Sequence, residues 1–287
     1  QDPNLQEPGS PQNPVEETNP VLETTVEATP AAAAPQAVAS ESVAPEALEA
    51  VVPASVAPQL PVTPQTIPAA GARPAIEIRG LTKAFGQKVA VDRINLDIPS
   101  GSFYGLVGRN GAGKTTTISM VTGMLKPNEG TAYVRGIDMW ADPLKAKAHL
   151  GVLPDGVHLF DKLTGEQLIT YSGYLHGIDK ETVASRVKDL LAAMDLTDAA
   201  GRAVADYSAG MTKKIALAAA LVHAPSLLIL DEPFEAVDPV SAANIQEILR
   251  GFVASGGTVI ISSHVMDLVQ RLCDHVAVMD SGRILAA

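Results

Sequence analysis

Eight residues, Gly108-Arg109-Asn110-Gly111-Ala112-Gly113-Lys114-Thr115, constrain this chain more than any other stretch. They follow the apolar run Phe103 to Val107 and precede residues suited to a helix, so they match Gly-x4-Gly-Lys-Ser/Thr in its required strand-loop-helix context. Glycines let backbone N–H groups wrap phosphates, and the N-terminus of the following helix attracts the same anions. In that arrangement Lys114 meets the β and γ phosphates, and the Thr115 hydroxyl ligates Mg²⁺. Gly108, Asn110, Gly111, Gly113 and Thr116 complete the candidate nucleotide site.

A second element lies downstream, where the apolar run Leu227 to Leu230 leads straight into Asp231-Glu232. A strand ending in two carboxylates sets one beside the metal and the other beside the reacting phosphate. Asp231 would hold Mg²⁺ through water, and Glu232 would act as general base on an attacking water. Two acids after a strand are by themselves an ordinary solvated strand end; the phosphate loop reverses that balance. His264 follows Val259-Ile260-Ile261-Ser262-Ser263, at the carboxyl edge of a sheet where ligands bind in α/β folds. The other histidines, His149, His158, His176, His223 and His275, lack metal-ligand spacing.

From Ala75 onward, β-rich runs alternate with turns and helical stretches. Strands are predicted at Ile76 to Arg79, Val89 to Val91, Ile94 to Ile98, Phe103 to Val107, Thr131 to Val134, Leu150 to Leu153, Leu227 to Leu230, Thr258 to Ile261 and His275 to Met279. The alternation predicts an α/β core with a parallel component. Thr164 to Ala224 reads as a helical insertion: Thr164 and Gln167 fit a capping box, and Val183, Val187, Leu190, Leu191 and Met194 share one helical face.

The first 70 residues differ in kind. They hold 13 of the 21 prolines, nine acidic residues, no Lys or Arg and no aromatic residue. Such a segment cannot bury enough apolar surface to offset its ordering entropy, so a disordered acidic Pro/Ala-rich tail is expected. It carries −9 of the net −11, leaving the remainder near neutral and arguing against a nucleic-acid binder driven by positive charge. The longest apolar run, Ile215 to Val222, is far shorter than the roughly 20 residues a membrane-spanning helix needs. Gln1 to Pro20 shows no signal-peptide pattern, so export is not expected, and the lack of an initiator Met suggests a trimmed chain. The single cysteine, Cys273, lies in an apolar stretch and is expected to be packed rather than reactive.

Together these residues resemble the nucleotide-binding subunit of an ABC (ATP-binding cassette) transporter, from about Ala75 to the C-terminus. The decisive addition is Tyr207-Ser208-Ala209-Gly210-Met211, at the place of that family's Leu-Ser-Gly-Gly-Gln signature. The resemblance implies an α/β fold: a P-loop NTPase core of ABC type with an antiparallel β subdomain and a helical subdomain carrying the signature. With the compositional tail taken as 1–73, it implies a cassette at 74–287, with the helical subdomain at about 160–224. It also implies a head-to-tail dimer, with itself or a paralogous subunit, in which Ser208 and Gly210 serve the partner's ATP.

Phe85 matches the aromatic that stacks on adenine, and Asp238 the loop coupling the two sites; Asp238 also suits an N-cap, since Pro239 follows at the favoured first helical position. Asp155 stands where the family usually has a Gln touching Mg²⁺ and water, and Ala209 and Met211 depart from the signature. By this resemblance the chain is an exporter-like ATP hydrolase using ATP and Mg²⁺, peripheral on the cytoplasmic face of the cell membrane. Separate transmembrane permease subunits would contact Asp155 to Tyr174, and no nucleic acid is involved. The family commonly continues past the position of Ala287, so truncation there is also suspected. A soluble non-transport ABC-type ATPase and a catalytically weak ATP-binding module stay open as alternatives. No Asn/Thr-Lys-x-Asp guanine reader is present.

Overall fold

A computed structural model describes residues 73–156 and 159–287. The expected acidic tail lies outside the described residues. Strands β1 (Ile76–Phe85) and β2 (Lys88–Ile98) form a hairpin; β3 (Phe103–Val107) enters a second sheet, and β4 (Glu129–Val134) and β5 (Ile137–Asp138) return to the first. That first sheet is antiparallel, in the order β2-β1-β4-β5. The predicted strands Val89 to Val91 and Ile94 to Ile98 are one strand, not two. The register shifts where Leu81 faces Ile94 and Lys83 faces Val91, and Arg93 takes a left-handed φ of 47°. The polar Asp92-Arg93 pair that suggested a break is a bulge, which bends and twists a strand without ending it.

The second sheet adds β6 (Leu150–Leu153), β7 (Leu227–Leu230), β8 (Thr258–Ser263), β9 (His275–Asp280) and β10 (Arg283–Ala286), in the order β10-β9-β3-β8-β7-β6. All neighbours pair in parallel except β9 with β10. Strands β3, β7 and β8 are buried along their whole length, which explains runs such as Leu227 to Leu230 with no polar alternation. The short β5 and β10 were not predicted; neither carries a buried apolar stripe.

Seven helices connect the strands among the described residues: α1 (Lys114–Val121), α2 (Pro143–Lys147), α3 (Gly165–Leu175), α4 (Lys180–Ala193), α5 (Ala209–Leu221), α6 (Pro239–Ala254) and α7 (Met266–Leu272). Their starts are written locally. Thr164 and Gln167 form the predicted capping box on α3, and Asp179, Ser208 and Asp238 cap α4, α5 and α6 with their side chains. The predicted α4 face, Val183, Val187, Leu190 and Leu191 with Met194, is buried.

Two apolar cores result. One, including Phe252, Leu217, Ile215 and Leu190, joins α3 to α6 to one side of the parallel sheet. The other, including Ile76, Ile78, Tyr104, Ile118 and Met120, fills the space between the sheets around α1. The carboxyl ends of β3, β7 and β8 are thereby held against rigid neighbours, and from those ends the candidate site is built.

Candidate functional site

The loop after β3 turns sharply into α1. Gly113 caps that helix at φ 107°, and a Cβ there would come within 2.6 Å of the Ala90 carbonyl oxygen, so only glycine fits. Lys114 is 6% exposed, and its ammonium donates to the Gly108 carbonyl at 2.8 Å. Asn110, Gly111, Gly113, Lys114, Thr115 and Thr116 line a cleft of about 420 Å³, closed on its other sides by Phe85, Lys88, Ala90, Asp155, Glu232 and Glu235. Phe85, at the end of β1, is half-exposed, with the Lys83 ammonium 5.4 Å from its ring centre.

Strand β7 delivers the two carboxylates to different depths. Asp231 is 1% exposed, and its Oδ1 accepts from the Ser262 hydroxyl on β8. Glu232 points into the cleft from a left-handed backbone, φ 46°, a conformation that costs a non-glycine residue about 1–2 kcal/mol. Its N–H donates to Ser262 Oγ at 2.9 Å, and its carbonyl accepts from Lys213 Nζ at 3.2 Å. Glu232 Oε1 lies 3.3 Å from Lys114 Nζ and 3.2 Å from His264 Nδ1. These are close charge contacts without hydrogen-bond alignment, so this buried oxygen keeps its accepting capacity free.

The predicted residues therefore fall into two groups. The phosphate loop, Phe85, Asp155, Glu232 and His264 surround or adjoin one cleft, with Gly108 and Asp231 behind its wall. Ser208 and Gly210 are not among the residues lining it. They open α5, where a Cβ on Gly210 would sit 2.7 Å from Asp238 Oδ2 and 2.6 Å from Ser241 Oγ. Asp238 in turn accepts from the Ser241 N–H at 2.9 Å, a bond that holds its carboxyl below the ordinary carboxylate range. Cys273 is half-buried, and burial pushes its thiol up to about 12.

Sequence reasoning left five residues of the site unassigned: Lys88, Ala90, Glu235, Lys213 and Ser262. Lys88 was accessible in principle, since it pairs with Phe85 across a two-residue turn. Lys213 and Ser262 reach the site only because α5 packs against β6 and β8 pairs with β7, which no local pattern reveals.

The ABC transporter family model matches residues 91–235, half of the chain. The chain belongs to the ABC transporter ATP-binding family. It is 35% identical to the linearmycin resistance ATP-binding protein LnrL of Bacillus subtilis over 74% of this chain and 68% of that protein. It is 37% identical to the daunorubicin/doxorubicin resistance protein DrrA of Streptomyces peucetius over 74% and 64%, so it spans less than two thirds of that relative's length. It is 35% identical to NatA of Bacillus subtilis over 68% and 80%.

Among solved structures, the ATP-binding subunit of an ABC transporter matches with a TM-score of 0.69 and 25% identity over 74% of this chain and 88% of that one. The cbiO1 subunit of Clostridium perfringens, part of a transporter complex, matches with a TM-score of 0.65 and 26% identity over 74% and 87%. The cassette is thus an ATP-binding and ATP-hydrolysing transporter subunit whose fold is the predicted one. Subunits of this kind dimerise and work with transmembrane components. Among the described residues of this chain no helix is long and apolar enough to cross a membrane.

Proposed function

We propose that Glu232 is the general base for ATP hydrolysis in this cassette, with Lys114 binding the β and γ phosphates and His264 orienting the water and γ phosphate. The observation that carries this reading is the contact set of Glu232 Oε1: two cationic or titratable nitrogens within 3.3 Å and no aligned hydrogen bond to consume its lone pairs. A carboxylate so placed can accept a proton from water, while the loop N–H groups and Lys114 draw charge from the phosphates. Phe85 offers an exposed ring for adenine stacking at the cleft mouth.

The donor chemistry suits Mg²⁺. Thr115 and Asp155 on the cleft wall and Asp231 behind it are hard oxygen donors, and no cluster of three or more His, Cys, Asp or Glu gathers as a dedicated metal cage among the described residues. Mg²⁺ is ordinarily held by one or two protein oxygens plus phosphates and water. Bound there, it would neutralise phosphate charge; Thr115, Asp155 and Asp231 would hold it, Asp231 through water.

Ser208 and Gly210 serve the ATP of a second subunit in a head-to-tail dimer, and Asp238 links the two sites through its contact with Gly210. Residues 74–287 form the cassette, with the helical subdomain at about 160–224. Asp155 to Tyr174 is the contact surface for transmembrane permease subunits, which would hold the cassette at the membrane. In its support, Phe160, Tyr171 and Tyr174 are exposed there, and Phe160 packs edge-on to Tyr171 at 5.5 Å, in a chain with only 4% aromatic residues. The names of relatives in drug resistance and Nod factor export support an exporter.

Mg-dependent ATP hydrolysis by the parent, Glu232→Gln and His264→Ala tests the assignment. Loss of a general base costs roughly 10²- to 10⁴-fold in rate. Parental turnover in Glu232→Gln would refute it.

A further inference from the structure

Ser262 stands out in its strand. In Thr258-Val259-Ile260-Ile261-Ser262-Ser263 it is 0% exposed, on the central strand β8 between β3 and β7, where a buried hydroxyl is costly unless it is hydrogen-bonded. A serine hydroxyl offers one donor and two acceptor positions. Here it accepts the N–H of Glu232 at 2.9 Å and donates to Asp231 Oδ1, so one oxygen joins the backbone of one acidic residue to the carboxylate of the other.

The backbone needs such a tie. Glu232 sits at φ 46°, and the Asp231 N–H is already committed to the Leu153 carbonyl at 2.8 Å, as a continuation of the β6–β7 pairing. The two peptides flanking Asp231 are therefore both fixed, Leu230–Asp231 by β6 and Asp231–Glu232 by the Ser262 hydroxyl. A strained conformation persists only where its surroundings over-determine it.

We propose that Ser262 is a positioning residue for hydrolysis: its hydroxyl orients the Asp231 carboxylate and locks the left-handed turn that directs Glu232 into the cleft. Ser262 does not line the cleft and acts through the two carboxylate residues. This inference rests on the roles given above to Asp231 and Glu232. Groups that orient a metal-site ligand from behind typically carry 10- to 100-fold in affinity or activity.

The test compares the parent chain with Ser262→Ala, Ser262→Thr, Ser262→Cys and Glu232→Gln. Ser262→Ala is expected to lower kcat roughly 10- to 100-fold with little change in KM. Binding of a fluorescent ATP analogue without Mg²⁺ should be unchanged, while the Mg²⁺ concentration that half-saturates its enhancement of binding should rise. Ser262→Thr, which keeps the hydroxyl, should restore kcat. A parental kcat in Ser262→Ala beside an inactive Glu232→Gln would overturn the role of Ser262 and leave the base assignment standing. Parental turnover in Glu232→Gln would remove both. If Ser262→Ala fails to fold by circular dichroism, Thr and Cys decide. Cys keeps the shape with a weak donor, so an active Thr beside an impaired Cys supports the proposal, and equal activities overturn it.

Discussion

Lys114 Nζ lies 3.3 Å from Glu232 Oε1, so the phosphate loop and the end of β7 are joined across the cleft by an ion pair whose side chains are 6% and 11% exposed. Breaking a buried pair from one side costs about 3–5 kcal/mol, because the remaining charge is left uncompensated. Lys114→Ala should therefore lower the unfolding temperature as well as abolish ATP binding by calorimetry. The double variant Lys114→Ala with Glu232→Gln should recover much of the stability and none of the binding. A single variant as stable as the parent would show that the pair does not hold the two elements together.

Gly210 approaches the cap of α6 so closely that a methyl group must displace Asp238 or Ser241. Gly210→Ala should destabilise the cassette by about 1–3 kcal/mol, the usual range for overpacking. ATP binding to one subunit should survive, while ATP-driven dimerisation weakens. Urea unfolding and equilibrium nucleotide binding measure the two effects separately.

His223 supplies a pH dependence. Burial, with the stacked His176 ring 3.7 Å away, depresses its pKa to about 4 from an ordinary 6.5. Between those values the unfolded chain takes up a proton that the folded one refuses, so stability rises with pH in that window and is lost on acidification from about 6.5 towards 4. The full effect is on the order of 3 kcal/mol. His223→Gln should flatten that part of the stability profile in urea titrations at pH 4.5 and 7; an unchanged slope would exclude His223 as its source.

Deleting residues 1–70 should leave ATP affinity and hydrolysis unchanged, since every residue of the cleft lies beyond Ala84. Calorimetry on the shortened chain checks this directly. A large loss of affinity would move the domain boundary.

What the sequence made readable was whatever its chemistry expresses within a few neighbouring residues. The phosphate loop was legible because Gly113, Lys114 and Thr115 act through a turn and helix start that they themselves create. Asp231-Glu232 was legible because a fully buried strand must end where charge begins. The same locality misled at Asp92-Arg93, where a bulge looks like a gap between strands. Lys213 and Ser262 stayed hidden for a different reason. Their contacts with Glu232 depend on α5 packing nearby and on β8 lying between β3 and β7, a strand order set by long crossovers. The pairing of Gly210 with Asp238 is of that kind too, joining the signature to a helix cap 28 positions later in the chain.

The most direct test of the central claim is the mass of the Glu232→Gln variant in solution, read by size-exclusion chromatography with light scattering, with and without Mg-ATP. If Glu232 is the base and Ser208 and Gly210 close on a second subunit's ATP, the variant binds ATP, hydrolyses it roughly 10²- to 10⁴-fold more slowly than the parent and elutes as a stable dimer only with nucleotide. A variant that remains monomeric while turning over ATP at the parental rate would contradict both the base and the shared site.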